Sequence, residues 1–345
     1  MKNSFSLVFG KEPIHIINRS MQENEIIEEF LSENPIHQVC MITGVRGSGK
    51  TVCLTTLSNE FRDREDWIVI DINPERDILN ALAAQLSNRK ELFQLFKDAK
   101  LNLSLFGIGF EMDAIPPITD IVTALDEMLD KLTKKGKKVL IAIDEVSSSL
   151  YIREFISQFQ IFIRRKYNVF LLMTGLYENI YELQNEKTLT FLYRAPKVEL
   201  KPLNTVRMAQ IYKTTLNIED DRALEMAKLT KGYPFAFQVL GYLCMKYNVR
   251  YEQILFEFDA YLEEYVYEKI WSELSSKDRE VLHAMCLSDG KIVNIRAVGE
   301  FSSNTFTVYR NRLIKKGIIR SSKYGYLEYT LPRFEEFILR TFEKD

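Results

Sequence analysis

Three features predict an α/β chain in which a parallel sheet is sandwiched between helices in three layers, followed by a helical region and a winged helix-turn-helix. Apolar runs at 39–42, 67–71, 139–143 and 167–173 alternate with helix-compatible segments, the pattern of βα units. A glycine-rich loop links the first run to the first of those segments. Beyond residue 271, three helical stretches precede a hairpin pattern.

Near the start, Arg19 and Glu23 precede an amphipathic stretch from Glu25 to Leu31. They either line a base pocket or only begin a helix. Val39-Cys40-Met41-Ile42 is the first strand. The loop after it, Gly44-Val45-Arg46-Gly47-Ser48-Gly49-Lys50-Thr51, fits G-x-x-x-x-G-K-[ST] at every defined position. Glycines let such a loop curl its N–H groups into a nest for phosphate oxygens. The helix beyond, from Val52 to Phe61, adds the positive end of its dipole. Residues 44–51 and Val52 are therefore the candidate nucleotide contacts. Lys50 would place its ammonium on the β- and γ-phosphates, and Thr51 would offer its hydroxyl to Mg²⁺. The competing reading is a bare glycine turn; the strand–loop–helix setting argues against it.

Trp67-Ile68-Val69-Ile70-Asp71 reads as a second strand closed by Asn73-Pro74, between helical segments at 52–61 and 75–87. Leu101 to Phe110 alternates and then reads Gly-x-Gly. No helix start follows, so this is an inserted strand or hairpin rather than a second phosphate loop. A helix at 118–135 and a polar turn at Lys134 to Lys138 lead into Val139-Leu140-Ile141-Ala142-Ile143-Asp144-Glu145. A continuous apolar run suits a strand buried on both faces, and ligands sit beyond the carboxyl ends of such strands. Asp144 would hold Mg²⁺ and Glu145 would orient or activate the attacking water, as in a Walker B element. Two solvated acids at a strand end are the alternative.

A helix at 150–166 ends in Arg164 and Arg165, where cations also complement the dipole. Tyr167 to Met173 forms the next strand, ending in Thr174-Gly175. Thr174 is the candidate γ-phosphate sensor, against a plain strand-ending turn. Arg194, just before the strand-like Val198-Glu199-Leu200, is the candidate arginine finger, with Arg164 and Arg165 behind it. Arg46 lies inside the loop and points outward or meets a partner. No N-K-x-D guanine signature is present, so ATP is the expected nucleotide.

Pro196 and Pro202 bracket the exit from the α/β region. Helical periodicity covers Thr205 to Leu216 and Asp220 to Thr230. In Lys231-Gly232-Tyr233-Pro234, Gly232 ends one helix and Pro234 opens the next. The aromatic density from Tyr242 to Trp271 is read as core or interface. Ser275-Ser276 caps a helix through Leu287, a short helix spans about Ile295 to Phe301, and Ser303 caps a third from Asn304 to Lys316, stopped by Gly317. Ile318-Ile319-Arg320 and Tyr326 to Thr330 form a hairpin around Ser322 to Gly325. The expected domains are 1–200, 201–270 and 271–345. From Ser272 onward, 13 Lys/Arg face 10 Asp/Glu, within a chain of net charge −2. Asn304, Thr307, Arg310, Asn311 and the turn residue Lys323 are the candidate contacts to double-stranded DNA. A protein contact or a purely structural role remains open for this module.

The 345 residues exceed one ordinary domain, and 46% apolar content supports real cores. Four scattered cysteines (Cys40, Cys53, Cys244, Cys286) give neither zinc spacing nor a disulfide framework. The three isolated histidines (His15, His37, His283) argue against a His-based metal site. The start lacks an apolar signal core and no run approaches the ~20 apolar residues of a membrane span. A soluble, cytoplasmic chain is expected.

With Gly44 to Thr51, Ile141 to Glu145, Thr174-Gly175 and Gly232-Tyr233-Pro234 in place, the chain resembles the AAA+ P-loop NTPase branch. That branch includes archaeal-type ATPases, origin-recognition ATPases and STAND signalling NTPases. The resemblance implies ATP and Mg²⁺, a lid whose Gly-x-Pro step brings Pro234 to the nucleotide, and a winged domain. It also implies homo-oligomers in which a neighbour completes the site. A lid arginine beside Gly232-Tyr233-Pro234 is lacking, which points to a slow switch. The expected function is an ATP-binding and hydrolysing switch that presents the winged domain to DNA. The alternatives are a signalling or defence adaptor whose winged domain binds protein, and a DNA-binding regulator with a structural nucleotide.

Overall fold

The structure, a computed structural model, describes residues 3–8, 13–17, 19–98 and 120–342. The segment Leu101 to Phe110, expected as an inserted strand or hairpin, lies outside the described residues. The chain forms two compact units, Ser20–Thr43 with Lys50–Glu199, and Met1–Arg19 with Gly44–Gly49 and Leu200–Asp345.

The first unit runs α1 (Ser20–Leu31), β1 (Val39–Thr43), α2 (Lys50–Arg62), β2 (Trp67–Ile72), α3 (Ile78–Ser87), α4 (Lys90–Asp98), α5 (Ile121–Lys134), β3 (Lys138–Ile143), α6 (Leu150–Arg164), β4 (Val169–Gly175), α7 (Tyr177–Asn185) and β5 (Lys197–Glu199). All five strands are parallel, in the order β2-β3-β4-β1-β5. The expected strands are there, with the strand-like 198–200 as the β5 edge. β1 and β4 are buried at every residue, which is why they read as unbroken apolar runs. The helices start where capping chemistry allows: Asp120 accepts from Thr123 N–H ahead of α5, and Ser149 from Ile152 N–H ahead of α6. Phe155, Phe159 and Phe162 of α6 are fully buried in the sheet core. Each such ring contributes roughly 1.5–3 kcal/mol. That exceeds the propensity differences among helix residues, so packing decides where α6 lies.

The second unit contains α8 (Thr205–Leu216), α9 (Asp220–Leu229), α10 (Pro234–Tyr247), α11 (Leu255–Leu262), α12 (Glu268–Ser272), α13 (Ser276–Cys286), α14 (Ile292–Val298), α15 (Ser303–Lys315), the antiparallel pair β6 (Ile319–Lys323) and β7 (Tyr326–Tyr329), and α16 (Phe334–Phe342). Pro234 is the first residue of α10, as its missing N–H permits. A π-helical turn at Glu263–Tyr267 joins α11 to α12. Several sequence boundaries shift by a few residues, three of them for a visible reason. α14 begins at Ile292, earlier than expected, because the chain has already been turned by Asp289, which accepts from Lys291 N–H and Asn294 Nδ2. The α15 cap is Ser302, whose hydroxyl accepts from Thr305 N–H, instead of Ser303. α1 starts at Ser20 and takes in Glu23, which is buried. One apolar core runs from Phe5 through Phe237 and Phe258 to Phe306 and Ile338, so the expected boundary at 270/271 falls inside continuous packing. Among the described residues no helix is long and apolar enough to cross a membrane.

Candidate functional site

In the first unit the parallel register sets the chemistry. Ile143 of β3 lies opposite Met173 of β4, so the residues that follow, Asp144 and Thr174, emerge side by side at the carboxyl ends. The Thr174 hydroxyl donates to Asp144 Oδ1. Thr51, in the first turn of α2, donates its hydroxyl to Asp144 Oδ2 at 2.7 Å. The Glu145 N–H donates to Thr174 Oγ1 and to Asp144 Oδ1, each at 3.1 Å. Glu145 has φ of 54°, the left-handed region, and its side chain is exposed. Lys50 and Thr174 are buried. Thr174, read from the sequence as a γ-phosphate sensor, here holds the Asp144 carboxylate and the Glu145 amide.

The glycine loop belongs to the second unit. Gly47 and Gly49 take φ of 71° and 87°, which side chains rarely adopt. Three successive carbonyls are held from outside the loop. Tyr233 Oη donates to Arg46 O at 2.5 Å, Phe235 N–H to Gly47 O at 3.3 Å, and Arg19 Nη2 to Ser48 O at 2.8 Å. Arg19 also donates from Nε to Lys201 O at 2.9 Å. In a trans peptide the C=O and the next N–H point opposite ways. The N–H groups of Gly47, Ser48 and Gly49 therefore turn away from these partners; that of Ser48 reaches Val45 O at 3.2 Å. A Cβ on Gly47 would meet Tyr233 Oη at 2.1 Å, and one on Gly49 would stand 3.7 Å from Pro234 Cγ. Gly44 is as constrained, since its Cβ would meet Ser48 Oγ at 2.4 Å. The Ser48 hydroxyl and Arg46 Nε are buried without a hydrogen-bond partner among the described residues. Arg46 Nη2 pairs with Glu273 Oε1 at 2.9 Å, a contact within the chain.

The arginine candidates divide. Arg165 caps α6 and pairs with Asp126, a structural use. Arg164 ends α6, and Arg194 ends a 3₁₀ turn at Thr190–Arg194 with its side chain exposed. No contact among the described residues ties Arg194 to Asp144 or Thr174. Tyr233, Phe235 and Glu273 were not among the sequence candidates. Tyr233 alone carried a signal, as the middle of Gly-x-Pro.

On α15, Asn304, Thr307 and Asn311 are exposed, with Val308 between them. Arg310 is half-buried and folds onto Asn311 Oδ1 at 3.0 Å. Arg312 bonds Asp278 Oδ1 at 2.9 Å and Ser275 Oγ at 2.7 Å, and Asp278 is 1% exposed. Lys323 lies 4.1 Å from the Tyr326 ring centroid, beside a fully exposed Tyr324.

A family profile described as an ATPase domain predominantly from Archaea matches residues 17–192. A second, described as a domain of unknown function (DUF8462), matches residues 264–338. No curated protein matches the chain. Among solved structures, the Walker-type ATPase PABY2304 of Pyrococcus abyssi is similar with a TM-score of 0.65 at 18% identity, over 94% of this chain and 96% of that one. The ORC2 protein of Aeropyrum pernix, in its ADPNP–ADP complexes, is similar with a TM-score of 0.58 at 12% identity, over 98% of both chains. At such identities the likeness is one of fold. The profile covers slightly over half of the 345 residues, and the protein belongs to the family of ATPase domains found predominantly in Archaea.

Proposed function

We propose that this ATPase is a Mg²⁺-dependent switch, with the glycine loop, Lys50 and Thr51 holding the phosphates of ATP. The observation that carries the reading is the Thr51 hydroxyl on the Asp144 carboxylate, which joins the end of the phosphate motif to the end of β3. The Mg²⁺ fit rests on the donor set: a hydroxyl and a carboxylate are hard oxygens suited to this ion. Among the described residues no cluster of His, Cys, Asp or Glu could hold a metal alone. Mg²⁺ takes one or two carboxylates and completes its shell with substrate phosphates and water, so the pair is sufficient. The buried, unpartnered Ser48 hydroxyl within the loop further supports a phosphate-bearing ligand.

Bound Mg²⁺ would neutralise charge on the transferring phosphoryl group. Lys50 supplies a cation to the same oxygens. Asp144, fixed by two hydroxyls and one amide, keeps its carboxylate in one orientation. Glu145 presents its exposed carboxylate to orient the attacking water.

Three helices followed by a two-stranded hairpin support a winged helix-turn-helix over α13 to β7, and the separate profile match at 264–338 supports a distinct module. We read 1–200, 201–270 and 271–345 as ATPase, lid and winged domains. Double-stranded DNA is the proposed partner of the α15 face, through Asn304, Thr307, Asn311 and Lys323. The polar exposed row favours it.

Calorimetry with MgATP and a phosphate-release assay test the core reading. Wild type binds and turns over ATP, while Lys50→Ala loses at least ~100-fold in affinity or turnover. Equal binding by wild type and Lys50→Ala sinks the reading.

A further inference from the structure

We propose that Tyr233 is a positioning residue for the phosphate loop, acting through its hydroxyl on the Arg46 carbonyl. The inference rests on the nucleotide reading above and adds to it a residue outside the loop motif.

The geometry is specific. Tyr233 is 5% exposed, and its hydroxyl reaches Arg46 O at 2.5 Å. Burial raises the phenol's pKa, so the hydroxyl stays a donor across the physiological range. A carbonyl fixed on one side of a trans peptide fixes the following N–H on the other. Tyr233 therefore aims the Gly47 N–H, the amide next along from the held carbonyl, away from its own hydroxyl. The next residue but one repeats the device, since Phe235 N–H on Gly47 O fixes the Ser48 amide. Gly47 must lack a Cβ for this packing, because its Cβ would stand 2.1 Å from the Tyr233 hydroxyl and 3.1 Å from Phe235 Cβ. The middle glycine of the loop is thus explained by a contact as well as by its dihedrals.

A phosphate nest depends on amides pre-aimed at one point, since re-aiming them on binding would lower affinity. The hydroxyl contributes nothing to the base or ribose by this route. Its removal should weaken every ligand bearing a diphosphate by the same factor.

The test is Tyr233→Phe in the full chain, which keeps the ring against Gly47 and deletes only the donor. ATP, ADP and inorganic pyrophosphate binding are measured by calorimetry in Mg²⁺, with adenosine as control and the unliganded melting temperature recorded. We expect affinity for all three phosphate ligands to fall about five- to tenfold, the size of one hydrogen bond. Adenosine binding, or its absence, and the unliganded melting temperature should match wild type. Unchanged pyrophosphate affinity overturns the proposal, as does a loss for ATP that pyrophosphate does not share. A variant that melts far below wild type also overturns it, because the hydroxyl would then be structural. Failure of wild type itself to bind any of the three removes the nucleotide reading and this inference together. Wild-type binding with an unaffected variant removes this inference alone.

Discussion

Thr51 Oγ1 and Asp144 Oδ2 lie 2.7 Å apart, joined by a hydrogen bond across 93 positions of sequence. Asp144 also accepts from the Thr174 hydroxyl and the Glu145 amide. Replacing Asp144 by Asn keeps the shape but removes the charge that attracts a divalent cation. MgATP affinity should fall at least ~tenfold, while binding measured in EDTA should be nearly unchanged. Calorimetry with and without EDTA checks this; equal losses in both conditions would remove Asp144 from the metal.

Glu145 combines a left-handed backbone with an exposed carboxylate. A non-glycine residue in that region costs about 1–2 kcal/mol, and no packing at an exposed side chain repays it. Glu145→Gly should relieve part of this strain and raise the melting temperature by ~1–3 °C while abolishing turnover. Glu145→Gln should retain ATP binding and lose turnover. Normal phosphate release in the Gln variant would take the water-orienting role away from this residue.

Gly47 and Gly49 separate two causes of glycine dependence. Both have positive φ, so alanine at either is strained by about 1–2 kcal/mol. At Gly49 an added Cβ meets nothing nearer than 3.6 Å. At Gly47 it collides with the Tyr233 hydroxyl, adding ~1–3 kcal/mol of overpacking. Gly47→Ala should therefore lower stability in urea more than Gly49→Ala, by at least ~1 kcal/mol. Equal midpoints would show that Tyr233 yields freely.

Cys40, in the buried first strand, has its thiol pushed up to about 12 by burial. In the unfolded chain a thiol ionises near 9, the usual value. Between those two limits the unfolded state binds fewer protons than the folded one, so stability falls as pH rises. Cys40→Ala should flatten the decline of unfolding free energy between pH 9 and 11, measured by urea titration. Alkylation of native Cys40 should stay slow at pH 8, because almost no thiolate exists there.

What was legible in the sequence was local. The loop from Gly44 to Thr51 and the strand ending at Asp144 each declare themselves within one stretch, because their chemistry and their secondary structure share the same residues. The parallel sheet followed from unbroken apolar runs. α4, α7 and α16 passed unread, since each is only nine residues long, shorter than the stretch over which a helical period declares itself. The grip of Tyr233 on Arg46 spans 187 positions and that of Arg46 on Glu273 spans 227, distances over which no pattern in the chain carries information. The hold of Arg312 on Asp278, across 34 positions, went unread for the same reason.

That last pair separates stability from partner binding in the C-terminal module. Asp278 is 1% exposed and serves the Ser275 capping box of α13 as well as Arg312. Removing Arg312, whose side chain is 41% exposed, leaves a buried carboxylate without its cation, a loss of about 1–3 kcal/mol, less whatever the capping bonds retain. Arg312→Ala should therefore lower the melting temperature by several degrees. Lys323, whose ammonium rests on the Tyr326 ring in the hairpin, supports no buried group. Lys323→Ala should leave the melting temperature within about 1 °C of wild type. If the module meets the DNA backbone, it should also weaken DNA binding and reduce the slope of log affinity against log salt by about 1. An affinity that Lys323→Ala leaves untouched, or one with no salt dependence, would turn the module from DNA towards a protein partner.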